Sequence, residues 1–316
     1  MLYRRTIYLG HFCFLCLLCT FQAACGLPQA LIEATVSSPP TPLSTVSLQK
    51  ISTYPSATAT STPGILAGQG SKTPTRAAAP DCLHKGGRFL QKSLDTSLLK
   101  KALEYRIYLP PCYDEHPQQD YPVLYLIHGQ SYTDDQWERL GVGKIADRLI
   151  ASGEIPPLLV VMPRDRVWTQ PTEDMFGEAL ATILIPAIDE HFRTIADRPH
   201  RAIGGLSRGA GWAVHLGLKH WQLFGTIGAH SLAVFHADSS HIREWLQAIP
   251  RQDLPRFYLD IGSKDRPEIM QSATWFEQIL VGLDIPHEWY MFQGYHDEAY
   301  WSAHVETYLR WYTAAW

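Results

Sequence analysis

The sequence predicts an α/β protein with a mostly parallel central sheet, helices on both faces of the sheet, and an antiparallel hairpin at its N-terminal edge. From about residue 87 onward, strand-like segments alternate with segments of helical periodicity, which is typical of a parallel sheet connected by helices. Residues 123–127 and 158–162 are continuous apolar runs, as expected for strands that are covered on both faces. No repeat of fixed period is visible, so we expect one folded domain over residues 81–316.

Each element follows from its own pattern along the chain. Residues 87–93 and 104–109 alternate polar and apolar side chains and are expected to form the hairpin. Further strands are expected at 123–127, 158–162, 201–204, 224–228, 257–261 and 287–292. Helices are expected at 145–151, 176–192, 210–220, 242–248, 268–281 and 303–312.

The composition excludes several classes of protein. Hydrophobic residues make up 46% of the 316 positions and charged residues 18%, so most of the chain can bury a core and is not wholly disordered. The formal net charge is −4, so the chain lacks the excess of basic residues that is typical of a nucleic-acid-binding protein.

The N-terminus has the pattern of a secretory signal peptide over residues 1–25. A basic start at Arg4 and Arg5 precedes an apolar stretch at 12–21, and small residues follow it. The apolar stretch is short for a membrane span, so an uncleaved anchor is the less favoured alternative. The pattern therefore predicts an exported protein.

Cys25 indicates how the exported chain is processed. The sequence Ala23-Ala24-Cys25-Gly26 resembles a bacterial lipobox, in which the cysteine is lipidated and becomes the new N-terminus. Gln22 departs from that pattern, which usually has a leucine-like residue there. We expect a membrane-anchored lipoprotein, with ordinary cleavage to a soluble secreted form as the alternative.

Residues 26–80 are predicted to be a disordered stalk. Ser, Thr and Pro fill 25 of the 54 positions from 27 to 80, which leaves too few apolar side chains to offset the entropy of ordering. A tether between a membrane and a folded domain is consistent with export.

Two cysteines remain in the folded part of the chain. Cys82 precedes one strand of the predicted hairpin and Cys112 follows the other, so antiparallel pairing brings them together. In an exported protein this arrangement predicts a disulfide. No His/Cys cluster has the spacing of a metal site, and we expect no metal or cofactor.

The chemistry is indicated first by residues 205–209, which read Gly-Leu-Ser-Arg-Gly. This sequence fits the G-x-S-x-G turn between a strand and a helix, in which the glycines allow close packing and the serine is raised above the carboxyl end of the sheet. Ser207 is the candidate nucleophile. The alternative is a glycine turn in which Ser207 only caps the helix.

A serine nucleophile needs a base and an acid, which in this kind of fold follow it in the order acid, then histidine. His296 comes just after the last predicted strand, at the same sheet edge as Ser207, whereas His287 lies at the wrong end and His304 on the closing helix. Asp265 follows the strand at 257–261 and is the candidate acid. Asp260 is the rival, but it lies within that strand.

Backbone amides are needed for the negative oxygen of a tetrahedral intermediate. Arg208, directly after the nucleophile, supplies one N–H, and Gln130, in the loop after the strand at 123–127, is expected to supply the other. Gly129 would let this loop approach the substrate. A simple turn at His128-Gly129 is the alternative.

Four segments resemble the "Putative esterase" family of α/β-hydrolases, which includes esterase D, enterochelin esterases, feruloyl esterases and the antigen 85 mycolyltransferases. The resemblance covers about residues 82–312, and the segments are 105–111, 121–129, 201–209 and 294–297. It implies the α/β-hydrolase fold, with Ser207 and His296 at the family's nucleophile and base and Gln130 and Arg208 at its oxyanion donors. Asp265 matches the acid less closely, and Tyr295 stands where many members have a glycine.

The expected function is hydrolysis of carboxylic esters through an acyl-serine intermediate. Acyl transfer to a sugar or lipid hydroxyl and a non-catalytic surface binding module are the alternatives. The sequence does not decide which residues contact the substrate. Trp137, Trp168 and Trp301 could line a pocket or only pack under helices. Arg164 and Arg166 could bind an acidic substrate or be solvated.

Overall fold

The computed structural model describes residues 81–166 and 169–316. The predicted signal peptide, Cys25, the stalk and Trp168 lie outside the described residues. Within the described ranges, no helix is both long and apolar enough to cross a membrane.

The described residues form one eight-stranded sheet of strand order β1-β2-β4-β3-β5-β6-β7-β8. The strands are β1 (Arg88–Leu94), β2 (Leu103–Leu109), β3 (Val123–Ile127), β4 (Leu159–Pro163), β5 (Arg201–Leu206), β6 (Thr226–His230), β7 (Arg256–Gly262) and β8 (Glu288–Phe292). β2 pairs antiparallel with both β1 and β4, and every pairing from β4 to β8 is parallel. The mostly parallel sheet with an antiparallel N-terminal hairpin is therefore confirmed.

Helices cover both faces of the sheet. They are α1 (Asp81–Lys85), α2 (Gln136–Arg139), α3 (Val142–Ala151), α4 (Phe176–Ala179), α5 (Ile185–His191), α6 (Arg208–Lys219), α7 (Ile242–Ala248), α8 (Pro267–Gly282) and α9 (Glu298–Thr313). Side chains alternate along β3, so that Tyr125 and Ile127 pack in one apolar cluster with residues of α4 to α8. Leu124 and Leu126 pack in a second cluster with residues of α2, α3 and α9. All five residues of β3 are buried, which explains its continuous apolar sequence.

The predicted long helix at 176–192 is interrupted. Its middle, Leu180–Leu184, is a π-helical turn between α4 and α5. Pro186, in the first turn of α5, has no N–H to donate, so an uninterrupted α-helical ladder cannot pass this position.

Several other elements differ from the prediction by one to five residues at an end, and two of these differences have a clear physical cause. β6 is shifted by two residues and ends at His230, because its parallel register with β5 begins where Thr226 pairs with Ala202. α9 begins well before residue 303, because the Asp297 side chain accepts a hydrogen bond from the Tyr300 N–H (2.9 Å) and caps the helix.

The hairpin is closed by a disulfide between Cys82 and Cys112, whose Cα atoms lie 5.0 Å apart. In the hairpin, Arg88 of β1 pairs with Leu109 of β2, so the two cysteines sit at the same end. The bond links positions separated by 30 residues.

Removing the disulfide between Cys82 and Cys112 is expected to lower the free energy of unfolding by about 3–4 kcal/mol. The unfolded chain gains conformational entropy when a loop of about 30 residues is no longer closed. Cys82→Ser and Cys112→Ser should each give this loss in urea unfolding, and the double variant should lose no more than either single variant. Free Cys82 and Cys112 thiols in the oxidised, folded protein would contradict the assignment.

Candidate active site

Ser207 lies on a sharp turn between β5 and α6. Its backbone has φ 54° and ψ −119°, a conformation that costs a non-glycine residue on the order of 1–3 kcal/mol. The flanking glycines are required by space: a Cβ on Gly205 would lie 2.3 Å from the Gly209 carbonyl oxygen, and a Cβ on Gly209 would lie 2.1 Å from the carbonyl oxygen of Ile127. The Ser207 N–H donates to the His230 carbonyl (2.8 Å), which ties the turn to β6.

Three of the residues singled out in the sequence form one line of hydrogen bonds. His296 Nε2 lies 2.9 Å from Ser207 Oγ, and His296 Nδ1 lies 2.7 Å from Asp265 Oδ1. A carboxylate only accepts, so this network assigns the proton to Nδ1 and leaves Nε2 to accept from the serine hydroxyl. Asp265 is 5% exposed and its Oδ1 also accepts the Arg266 N–H (2.6 Å), which fixes the carboxylate.

The loops that carry the acid and the histidine pack against each other at the carboxyl edge of the sheet. The Lys264 N–H donates to the Gly294 carbonyl (2.9 Å), and a Cβ on Gly262 would lie 2.5 Å from the same oxygen. The rings of Trp301 and His296 make a T-shaped contact, with centroids 5.0 Å apart and planes at 82°. Trp301 is buried, so it packs against the imidazole rather than lining an open pocket.

The predicted oxyanion loop approaches the same point. A Cβ on Gly209 would lie 2.6 Å from the His128 carbonyl oxygen, so the first turn of α6 packs directly on the loop after β3. The Gly129 N–H donates to Gln136 Oε1 (2.8 Å). Within residues 81–166 and 169–316, the Gln130 N–H donates no backbone hydrogen bond. Arg208 is the first residue of α6, so its N–H lies at the N-terminal end of this helix, directly after Ser207.

Asp260, the rival acid, lies in a different network. It is fully buried, its Oδ1 is 2.6 Å from His230 Nδ1, and its Oδ2 accepts from the hydroxyls of Tyr300 (2.6 Å) and Tyr308 (2.8 Å). Burial raises the pKa of both tyrosines, so they remain protonated donors. The His230 Nε2 lies 3.0 Å from the Tyr312 hydroxyl, which completes the network.

The two other candidate histidines, and one candidate substrate contact, do not take part in the line of hydrogen bonds through Ser207. His287 and His304 each place Nδ1 near a backbone carbonyl, of Ile285 and Tyr300 respectively. Trp137 is buried and donates to the carbonyl of Ile127 (3.1 Å), which is a packing role.

Arg164 and Arg166 both pair with Glu104. Part of their positive charge is therefore already matched within the protein. In the part of the chain that the structure describes, no group of three or more His, Cys, Asp or Glu side chains could hold a metal ion.

Comparison with known proteins places this domain in a family. A family model described as "Putative esterase" matches residues 96–312. An endo-1,4-beta-xylanase/feruloyl esterase of Xylanibacter ruminicola is 37% identical over 173 residues, which are 51% of this chain and 23% of that protein. An esterase of Mycobacterium tuberculosis is 27% identical over 176 residues, 53% of this chain and 36% of that protein. The chain thus spans about a quarter to a third of the length of these curated relatives.

Solved structures share the fold. A ferulic acid esterase superposes with a TM-score of 0.65 and 25% identity, covering 73% of this chain and 99% of that one. An S-formylglutathione hydrolase of Staphylococcus aureus superposes with a TM-score of 0.57 at 16% identity, covering 72% of this chain and 99% of that one, and this likeness shows the fold alone. With the family model matched across most of the described domain, the chain belongs to the "Putative esterase" family of α/β-hydrolases.

Proposed function

We propose that this protein is a serine esterase that hydrolyses carboxylic esters through an acyl intermediate on Ser207. The observation that carries the proposal is the line from Asp265 through His296 to Ser207, with donor–acceptor distances of 2.7 and 2.9 Å. It joins a serine on a strained turn to a histidine whose other nitrogen is held by a buried carboxylate.

The two half-reactions use the same groups. Ser207 Oγ forms a bond to the ester carbonyl carbon while its proton passes to His296 Nε2. The carbonyl electron pair moves onto the oxygen, where the N–H groups of Gln130 and Arg208 stabilise it. As the carbon–oxygen bond to the alcohol breaks, His296 returns the proton to the leaving oxygen. Water then attacks the acyl carbon while His296 takes one of its protons. The bond between this carbon and Ser207 Oγ breaks, His296 returns the proton to Oγ, and the free acid leaves.

The substrate class we favour is an ester of a hydroxycinnamic acid such as ferulic acid. This choice is supported by the names of two relatives, the xylanase/feruloyl esterase at 37% identity and the ferulic acid esterase at 25%. A short-acyl ester and S-formylglutathione are the comparison substrates.

The test is a panel of methyl ferulate, a short-acyl nitrophenyl ester and S-formylglutathione, with Ser207→Ala as the matched control. We expect methyl ferulate to give the highest kcat/KM, with free acid and methanol released in equal amounts, and Ser207→Ala to lower kcat by about 10⁶. Transfer of the acyl group to an added sugar in place of water would show an acyltransferase. Turnover that survives in Ser207→Ala would contradict the serine mechanism.

We also propose that the chain is exported and held at a membrane through a lipid on Cys25, with residues 26–80 as a tether. The sequence pattern at 1–25 and the Ser, Thr and Pro content of the tether support this. We expect the expressed protein to partition with membranes and to be released by detergent, and Cys25→Ala to abolish lipid labelling. A soluble mature protein beginning at another residue would contradict lipidation and leave export standing.

A further inference from the structure

Asp165 is a buried carboxylate next to the oxyanion loop that the reaction scheme above does not use. It lies just after β4 and is 4% exposed. Its Oδ2 accepts from Arg208 Nε (2.7 Å) and from Trp212 Nε1 (2.8 Å). The Arg208 side chain is itself buried, so the pair is a buried ion pair directly beside the nucleophile.

The backbone N–H of Asp165 contacts the loop that carries the second oxyanion donor, Gln130. The Asp165 N–H donates to His128 Nε2 (3.0 Å), and His128 Nδ1 lies 2.7 Å from the carbonyl oxygen of Gly129. An N–H only donates and a carbonyl only accepts, so both contacts require the neutral tautomer with its proton on Nδ1. Burial lowers the pKa of His128, which favours this neutral form.

The Gly129 carbonyl belongs to the peptide whose N–H is that of Gln130. In a planar trans peptide the C=O and N–H point in opposite directions, and the described residues contain no cis peptide bond. Hydrogen bonds to the Gly129 oxygen from His128 Nδ1 and from the Tyr132 N–H (3.2 Å) therefore set the direction of the Gln130 N–H. The Gly129 N–H is held in turn by Gln136 Oε1 (2.8 Å), so both peptides of this glycine are fixed.

We propose that Asp165 is a positioning residue that couples the two oxyanion donors: its carboxylate holds the side chain of Arg208, and its N–H holds His128 and through it the Gln130 peptide. The continuous path is Arg208–Asp165–His128–Gly129, with successive contacts of 2.7, 3.0 and 2.7 Å. This role rests on the proposed esterase function. Its consequence is that a shift of Asp165 misplaces both N–H groups relative to the negative oxygen, which exists only in the transition state and intermediates.

The test variant is Asp165→Asn, which keeps the size of the side chain and removes its charge. We expect kcat to fall by about 10- to 100-fold with KM changed less than about threefold, because the donors act on the transition state and not on the bound ester. A trifluoromethyl ketone analogue, which forms a tetrahedral adduct with Ser207, should lose affinity by the same factor as kcat/KM.

Two further variants separate positioning from simple stability. Trp212→Phe removes the indole donor to Asp165 Oδ2 but leaves Arg208 and His128 in place, so it should lower the melting temperature and leave kcat within about twofold. In His128→Gln, the amide oxygen can still accept from the Asp165 N–H, but the side chain cannot also donate to the Gly129 carbonyl in the same geometry. This variant should therefore show the same loss of kcat as Asp165→Asn. Asp165→Asn and His128→Gln break the same path of hydrogen bonds. The variant that combines these two substitutions should therefore lose less kcat than the product of the two single losses.

The outcomes are distinct. An Asp165→Asn enzyme with kcat within twofold of wild type, or a Trp212→Phe enzyme with the same kcat loss, would overturn the coupling role. Should Asp165→Asn not fold, Asp165→Glu, which keeps the charge but displaces it, is expected to give the same split between kcat and KM. Failure of the esterase proposal itself appears separately, as absent turnover in the wild-type protein.

Discussion

Asp265→Asn is expected to lower kcat by about 10³–10⁴ while the domain stays folded. Asp265 Oδ1 accepts the Nδ1 proton of His296 at 2.7 Å. An amide in its place can present an NH₂ group to the imidazole, which favours the tautomer whose proton is on Nε2. That tautomer cannot accept the proton of Ser207, and the imidazolium formed during attack loses its counter-charge.

The measurement is kcat on any accepted ester together with a thermal melt of each variant. Asp260→Asn is the matched control, because it makes the same chemical change in the neighbouring carboxylate. We expect it to act mainly on stability, with at most a modest effect on kcat. Near-normal turnover in Asp265→Asn, combined with severe loss in a well-folded Asp260→Asn, would reverse the assignment of the acid.

Asp260→Ala is expected to lower the free energy of unfolding by about 3–5 kcal/mol. The carboxylate is fully buried and is the common partner of His230, Tyr300 and Tyr308. Its removal leaves three buried polar groups without an acceptor, and each such group costs about 1–3 kcal/mol. Some relaxation around the cavity keeps the total below the sum of the separate costs.

Urea unfolding measures this loss, and Tyr308→Phe is its matched control. That variant deletes one hydroxyl and keeps the ring that stacks on His230 with centroids 3.7 Å apart, so about 1 kcal/mol is expected. A loss below 1 kcal/mol in Asp260→Ala would show that the network does not contribute to stability as described.

The positions of the candidate catalytic side chains could be predicted because each follows the carboxyl end of a recognisable strand. Ser207, Asp265 and His296 come after β5, β7 and β8, and parallel strands bring their carboxyl ends to one edge of the sheet. The glycine spacing around Ser207 is a local steric requirement and is therefore visible in the sequence.

The contacts that hold these side chains could not be predicted in the same way. His230 and Asp260 are separated by 30 positions, and Asp165 and His128 by 37, so their pairing depends on strand register and loop packing. One signal was present: Asp260 interrupts an otherwise apolar strand, and a carboxylate buried there requires partners. His230 gave no such signal, because the predicted strand ended before it.

The central claim is that His296 activates Ser207 as the nucleophile, and covalent labelling tests it most directly. The mature protein is treated with a fluorophosphonate, digested, and the modified peptide is identified by mass spectrometry. We predict one modified site, Ser207, with labelling abolished in Ser207→Ala and slowed by orders of magnitude in His296→Ala although that variant remains folded. Modification of a different residue, or equal labelling rates in wild type and a folded His296→Ala, would contradict the account.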